Sequence, residues 1–492
     1  MAAVDSTVTN LGFGTIAGGL NVSIDEVAWI STSYVVAMVV AMPLAGWLAA
    51  NVGRKRSLIA ALTLFTAASF LCAISTSLAT LTIARFIQGF GAGAMQPLAT
   101  AALMDEYPRD DLPTAFKIIG FGGMVGPLMG PVLGGIILDN FTWPAIFLIN
   151  VPVGLLTILL ALSVLRDHNE SGERSRFDWT SLALMSAGLV ALQYVLTEGP
   201  RADWFASGAV VAVTATCVVA LGTFVWIQLT SKAPLVDLRP FRGASFSAGI
   251  LLSVVTGIGF TGTAFTVPLY FEQILGFDPT AAGLGIIPNG IALIFGIQIA
   301  TWLIGKRISP VLIAAVGLVL LGAGTMWFAL LGKDVGFAQI VPPRLVQGLG
   351  NGLTYIPLNV LIMRNVPKRL YDAASGLSGV ARQIGVAVGY AVLTAVLVRA
   401  QTAANTDIFN AIHLGPARAA QALVPIQQWL IAHGYSAYDA QNDATPLLQQ
   451  FVAHDAALAG FNQTFYIIAL LFVGTLPLLA IFWRRAAAET DA

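Results

Sequence analysis

The chain has 492 residues, 57% of them hydrophobic and only 10% charged, with 25 basic and 25 acidic side chains. Its mean hydropathy of +0.80 is far from a soluble domain, where roughly a quarter of residues are charged, so the composition describes an integral membrane protein. Zero net charge without a basic domain or tail excludes nucleic-acid binding, and Cys72 and Cys217, each inside an apolar run, suggest neither a disulfide framework nor a metal site.

Met1 to Gly14 is too short to cross a bilayer and lacks the basic region of a signal peptide; it reads as the end of a first span. Runs long enough for about 30 Å of hydrocarbon follow near 28–50, 57–76, 78–104, 114–138, 143–165, 179–197, 205–228, 244–275, 279–304, 309–331, 337–363, 375–398 and 462–483. The pattern predicts an all-α integral membrane protein of fourteen spans, the first truncated at its start. Lys and Arg favour short cytoplasmic loops. With both termini inside, the inner loops and tail hold Arg54, Lys55, Arg56, Arg109, Arg166, Arg174, Arg176, Lys232, Arg239, Arg242, Lys306, Arg307, Arg364, Lys368, Arg369, Arg484 and Arg485, whereas the short outer loops hold Arg201 and Lys333.

Within the run at 114–138, Gly122, Gly126, Gly130 and Gly134 recur every fourth residue and form one helix stripe, beside Pro127 and Pro131. A neighbouring backbone can approach closely there. On spacing alone this is a general helix-packing seam. Lipid offers no competing hydrogen-bond partners and adjacent helices re-satisfy groups freed by proline, so such a helix is tolerated in a bilayer.

Arg85 to Gly93 reads RFIQGFGAG and Arg344 to Gly352 reads RLVQGLGNG, identical at five of nine positions. This internal repeat predicts two six-helix halves, residues 1–165 and 244–492, separated by two inserted helices within 166–243. Transporters built from repeats place substrate near the midplane between halves. The hydrophilic segment 399–461 holds amphipathic stretches at 419–433 and 447–458 and is expected outside the cytoplasm, as a partner-binding element or a structured cap.

Several segments carry a family resemblance. VDSTVTN (Val4 to Asn10), WISTSY (Trp29 to Tyr34), GWLAANVGRKR (Gly46 to Arg56), RFIQGFGAG, the 120–135 glycine stripe, LQYVLTEGPRADWF (Leu192 to Phe205) and PLYFEQILGFDPTAAGLGIIP (Pro268 to Pro288) resemble, in this order, the fourteen-span drug/proton antiporters of the EmrB/QacA type in the major facilitator superfamily. The resemblance covers essentially the whole chain. It implies multidrug efflux by alternating access, driven by a proton gradient without a cofactor, in the bacterial inner membrane. It also implies an amphipathic small-molecule substrate and, in double-membrane bacteria, a periplasmic adaptor and an outer-membrane channel.

By the same resemblance Gly122, Gly126, Pro127, Gly130, Pro131, Gly134 and Gly135 form the antiporter motif, and Gly46, Gly53, Arg54 and Lys55 a gating loop. Asn10, Tyr34, Gln88, Gln96, Asn359 and Gln383 fall on spans that line the central cavity, although each can equally bond a neighbouring helix. Ala50 stands where the loop motif usually has an acid, and Leu11, Gly12 and Phe13 where Ala-Leu-Pro is usual.

An ionisable residue inside a span is costly and therefore a functional candidate. Asp5 is the carboxylate clearly inside a span, and Glu272 lies near an outer end. Arg85, Arg344 and Arg382 are the embedded arginines. Desolvation favours a neutral acid and a nearby guanidinium favours the carboxylate, so relative movement of Asp5 and Arg85 would switch proton affinity. The alternative is a permanent pair that fixes helix register.

His168, His413, His433 and His454 all fall in expected loops without a nucleophile or a ligand cluster, so an embedded enzyme has little support. Two related halves argue against a channel. An exporter or importer of one metabolite, fatty acid or siderophore-like compound is the closest rival, because fold fixes neither direction nor cargo.

Overall fold

The computed structural model describes residues 1–22, 24–107, 111–165, 178–199, 202, 204–231, 234–277, 279–367, 370–413 and 416–479. Arg109, Arg166, Arg174, Arg176, Arg201, Lys232, Lys368, Arg369, Arg484 and Arg485 lie outside these residues. Every regular element among them is helical.

Helices α1 (Ala2–Leu11) and α2 (Phe13–Leu20) are separated at Gly12. They lead into α3 (Ile24–Val52), α4 (Arg54–Ala73), α5 (Leu78–Glu106) and α6 (Leu112–Asn140), then α7 (Ala145–Leu148) and α8 (Asn150–Val164). The pair α9 (Trp179–Glu198) and α10 (Gly208–Thr230) follows. Next come α11 (Ala244–Gln273), α12 (Pro279–Leu284), α13 (Ile287–Gly305), α14 (Pro310–Ala329), α15 (Phe337–Met363), α16 (Tyr371–His413), α17 (Pro416–Ala432) and α18 (Ala437–Gly474).

Among the described residues ten helices are long and apolar enough to cross a membrane. Helices α5, α6 and α15, with 29, 29 and 27 residues, also have the length, at about 1.5 Å per residue. Pro43, Pro97 and Pro357 sit inside continuous helices, which a bundle tolerates because neighbours and backbone adjustments re-satisfy the freed carbonyls.

Helix starts follow local chemistry. Ser77 and Thr80 form a capping box ahead of α5. Asp178 accepts from the Ser181 hydroxyl and amide ahead of α9. Those bonds, the hydroxyl's first, hold the Asp178 carboxyl below its ordinary range, so the cap is present at neutral pH and is lost only as pH falls through that lowered value.

Three boundaries differ from the sequence expectation. The N-terminal helical segment continues to Leu20 rather than stopping at Gly14. The run expected at 375–398 belongs to a 43-residue helix, α16. The amphipathic stretch at 447–458 is not a separate short helix but part of the 38-residue α18, continuous with the last span; only the stretch near 419–433 is a discrete helix, α17. Polar side chains lowered the hydropathy of these extensions without breaking the helix, because helical hydrogen bonding continues wherever water or packing accommodates the side chains.

The sequence repeat is a packing repeat. A Cβ on Gly89 or Gly93 would collide with the α3 backbone at Tyr34 and Met38, and one on Gly91 with α4 at Ala61 and Phe65. In the second copy Gly348 and Gly352 meet α13 at Asn289 and Gly296, and Gly350 meets α14 at Gly317 and Leu321. Alternate glycines thus seat α5 and α15 each between two neighbours. Helix α16 packs on α3 and α5, and α6 packs on α13 and α15, joining the copies. Helices α9 and α10 pair with each other and touch the bundle through α3 and α16.

Candidate functional site

The glycine seating of α5 carries Arg85 and Gln88 into a closed space between α1, α3, α4 and α8. Asp5, on α1, is 1% exposed and is the only buried acidic side chain among the described residues. Its Oδ2 accepts from Arg85 Nη1 at 2.5 Å, and its Oδ1 accepts from Gln88 Nε2 at 3.0 Å and Asn150 Nδ2 at 2.7 Å. Arg85 Nη1 also donates to Gln88 Oε1 at 2.6 Å, and Gln88 Nε2 donates to Ser69 Oγ.

The Arg85 guanidinium lies 4.1 Å from the Tyr34 ring centroid and 5.6 Å from that of Phe147. Ring faces offset part of the cost of burying the cation. Arg85 Nη2 has no hydrogen-bond partner among the described residues. Val8, Ile30, Cys72 and Phe147 pack around the cluster, so the pair sits in a low-dielectric space where each hydrogen bond to the carboxylate counts strongly.

The second copy repeats half of this arrangement. Arg344 Nη1 donates to Gln347 Oε1 at 2.9 Å, and Gln347 Nε2 to Thr325 Oγ1 at 3.1 Å. Arg344 is 5% exposed and pairs with no acid among the described residues. The arginine, amide and hydroxyl recur, and the carboxylate does not.

The glycine stripe bears on the helix that holds Asp5. A Cβ at Gly126 would meet Ala3, and one at Gly130 would collide with Thr7, both on α1. Gly134 is buried, whereas Gly135 faces open space. The surroundings of Gly122 and the side chains of Pro127, Pro131 and Asn10 lie outside the described residues. In the loop between α3 and α4, Gly53 has φ +93°, and Lys55 Nζ caps α8 by donating to the carbonyls of Leu162 at 3.0 Å and Leu165 at 2.7 Å. Gly46 lies inside α3, six residues before its end at Val52, and Arg54 is the first residue of α4.

Two adjoining clefts share residues of α15 and α16, the first lying where the two halves meet and the second within the second half. The first is walled by α5, α6, α15 and α16 and includes Gln96 and Asn359. The second is walled by α11, α15 and α16. Tyr355, Asn359, Ser378 and Arg382 line both. Gln383 instead faces a third cleft, between α3, α9 and α16.

As to the two alternatives for Tyr34 and Gln88, both side chains are buried in the Asp5 cluster against neighbouring helices and line none of these three clefts. Asn150 and Ser69 were missed, since a census of charges passes over neutral amides and hydroxyls. A lone Asn in the apolar run 143–165 was the available signal. Glu272 is exposed near the end of α11.

Residues 1–390 match the family model described as Major Facilitator Superfamily. The chain is 30% identical to the multidrug export protein EmrB of Haemophilus influenzae over 98% of its length and 92% of that protein. It is 29% identical to EmrB of Escherichia coli K12 over the same shares. The crystal structure of the human organic anion transporter MFSD10 (TETRAN) superposes with a TM-score of 0.61 at 14% identity, covering 96% of this chain and 89% of that one, a likeness of fold.

Proposed function

Because the chain belongs to the Major Facilitator Superfamily and is thus a membrane transporter rather than an enzyme, we propose that it is a multidrug exporter that exchanges protons for amphipathic small molecules by alternating access. The observation that carries this reading is Asp5, a buried carboxylate held by Arg85, Gln88 and Asn150. The EmrB relatives supply the direction and the breadth of cargo.

In the closed arrangement the Asp5 carboxyl accepts from Arg85, Gln88 and Asn150. Movement of α1 along the Gly126–Gly130 seam of α6 draws Asp5 off Arg85, and a carboxylate without its cation in an apolar space takes up a proton. Return of α1 expels that proton. Coupling to cargo follows because one helix, α5, carries both Arg85 and, about 16 Å further along its axis, Gln96 in the first cleft.

The setting we propose is a bacterial inner membrane, with both termini cytoplasmic and the α16–α18 projection facing outward. In a double-membrane organism that projection is the contact for a periplasmic adaptor and its outer-membrane channel. The energy source is the proton gradient, and no cofactor takes part.

The test is proton release in detergent, followed with a pH dye as ethidium, bisbenzimide or pyrene-1-butyrate is added. Asp5→Asn cannot exchange a proton in this range, so release vanishes while dye binding and elution as a folded particle persist. An unchanged proton yield in Asp5→Asn removes Asp5 from the coupling step.

A further inference from the structure

Arg382 lies on α16, nine residues into the candidate span Ala373–Thr406, about 14 Å along the helix axis at 1.5 Å per residue and so close to the middle of a bilayer. A charge at that depth is retained where it has a function. Arg85 is neutralised by Asp5, but Arg382 makes no ion pair or hydrogen bond among the described residues. It is half-buried and lines both clefts, the one between the halves and the one within the second half.

Its neighbours are those of a recognition site. Ser378, one turn away, is 5% exposed, lines both clefts, and its hydroxyl has no partner among the described residues. Asn359 and Tyr355 reach the same two clefts. The opposite walls are apolar, with Phe116 and Ile119 on one side and Phe260 and Ile362 on the other. An unpaired guanidinium and a free hydroxyl facing apolar walls match a molecule with one anionic head and an apolar body. The planar fork of arginine pairs best with a carboxylate, through two parallel hydrogen bonds.

We propose that Arg382 is the specificity residue of the transport cleft and selects amphipathic organic monoanions, a carboxylate head docking on Arg382 and Ser378 while the apolar body lies against the aromatic and aliphatic walls. The assignment rests on the exporter reading above. It places cargo recognition on α16, apart from the Asp5 carboxylate, so protonation and binding occupy separate sites.

The probes are pyrene-1-butyrate, the neutral pyrene-1-butanol and the cationic 4-(pyren-1-yl)butyltrimethylammonium, which share one apolar body. Their affinities for the full chain in lipid nanodiscs are read from pyrene fluorescence. The wild type prefers the butyrate over the butanol, and the ratio falls about tenfold or more in Arg382→Ala and Arg382→Gln, the size of a lost charge-assisted hydrogen bond. Arg382→Lys restores part of the preference, and Ser378→Ala weakens it less.

A wild type without preference for the butyrate overturns the assignment, as does an Arg382→Ala protein in which all three affinities fall together. Efflux of the same probes and ethidium from proteoliposomes under a pH gradient separates the two readings. Efflux without anion preference leaves the exporter and removes the anion site, whereas anion binding without gradient-driven efflux of any probe removes the exporter reading.

Discussion

Asn150 donates to the carboxylate that also faces Arg85, and a hydrogen bond to a charged group contributes about 1.5–3 kcal/mol. Its loss favours the protonated acid, and one pH unit corresponds to about 1.4 kcal/mol. Asn150→Ala therefore moves the pH profile of proton release upward, measured with the same dye assay. A lower thermal midpoint with an unmoved pH profile would mean that Asn150 only positions α8. Removing Arg85 instead leaves a buried charge uncompensated, which costs about 3–5 kcal/mol, so a pH shift is read more cleanly from Asn150. The second copy helps locate this chemistry, since Arg344, Gln347 and Thr325 keep the polar frame without an acid.

At the scale of elements, the contact of α6 with α1 separates glycines that look alike in sequence. Gly130 has Thr7 against it and Gly126 has Ala3, whereas Gly135 faces open space. Gly130→Ala, Gly130→Val and Gly130→Leu should reduce pyrene-1-butyrate efflux progressively, because added side-chain volume forces α1 outward, and overpacking typically costs about 1–3 kcal/mol. Gly135→Leu should transport normally. Membrane insertion, read by western blot, stays intact in the series. Equal effects at 130 and 135 would show that the stripe acts through helix propensity instead of close contact.

For the whole molecule, the 43-residue α16 and 38-residue α18 measure about 65 and 57 Å, against about 30 Å of hydrocarbon. Their ends and α17 therefore project beyond one face. The projection has its own small core, in which Leu430 meets Ala440 and Ala444, and it is tied to the bundle by Lys333 Nζ on Asp455 at 2.9 Å. With Arg54 on the proposed cytoplasmic side and this projection outside, a cysteine at Arg54 should be shielded from an impermeant thiol reagent in intact cells and one at Tyr438 labelled. Cys72 and Cys217 are buried and stay silent. Labelling of both introduced sites from outside would break the arrangement.

Membrane embedding, the helical class, the repeat and the standing of Asp5 and Arg85 as embedded charges could all be read from the chain, because each depends on quantities local to one segment: apolar length, basic loops, glycine spacing and the cost of burying a charge. Neighbours settled the rest. Gln88 and Gln96 lie on the same helix, and nothing in their order reveals that one turns toward Asp5 and the other toward the cleft. The same holds for Arg382 and Gln383, adjacent in sequence and facing different clefts. A residue's direction on a helix becomes functional only once packing fixes which helices stand on each side, and here the seats are set by close contacts between segments far apart in the chain.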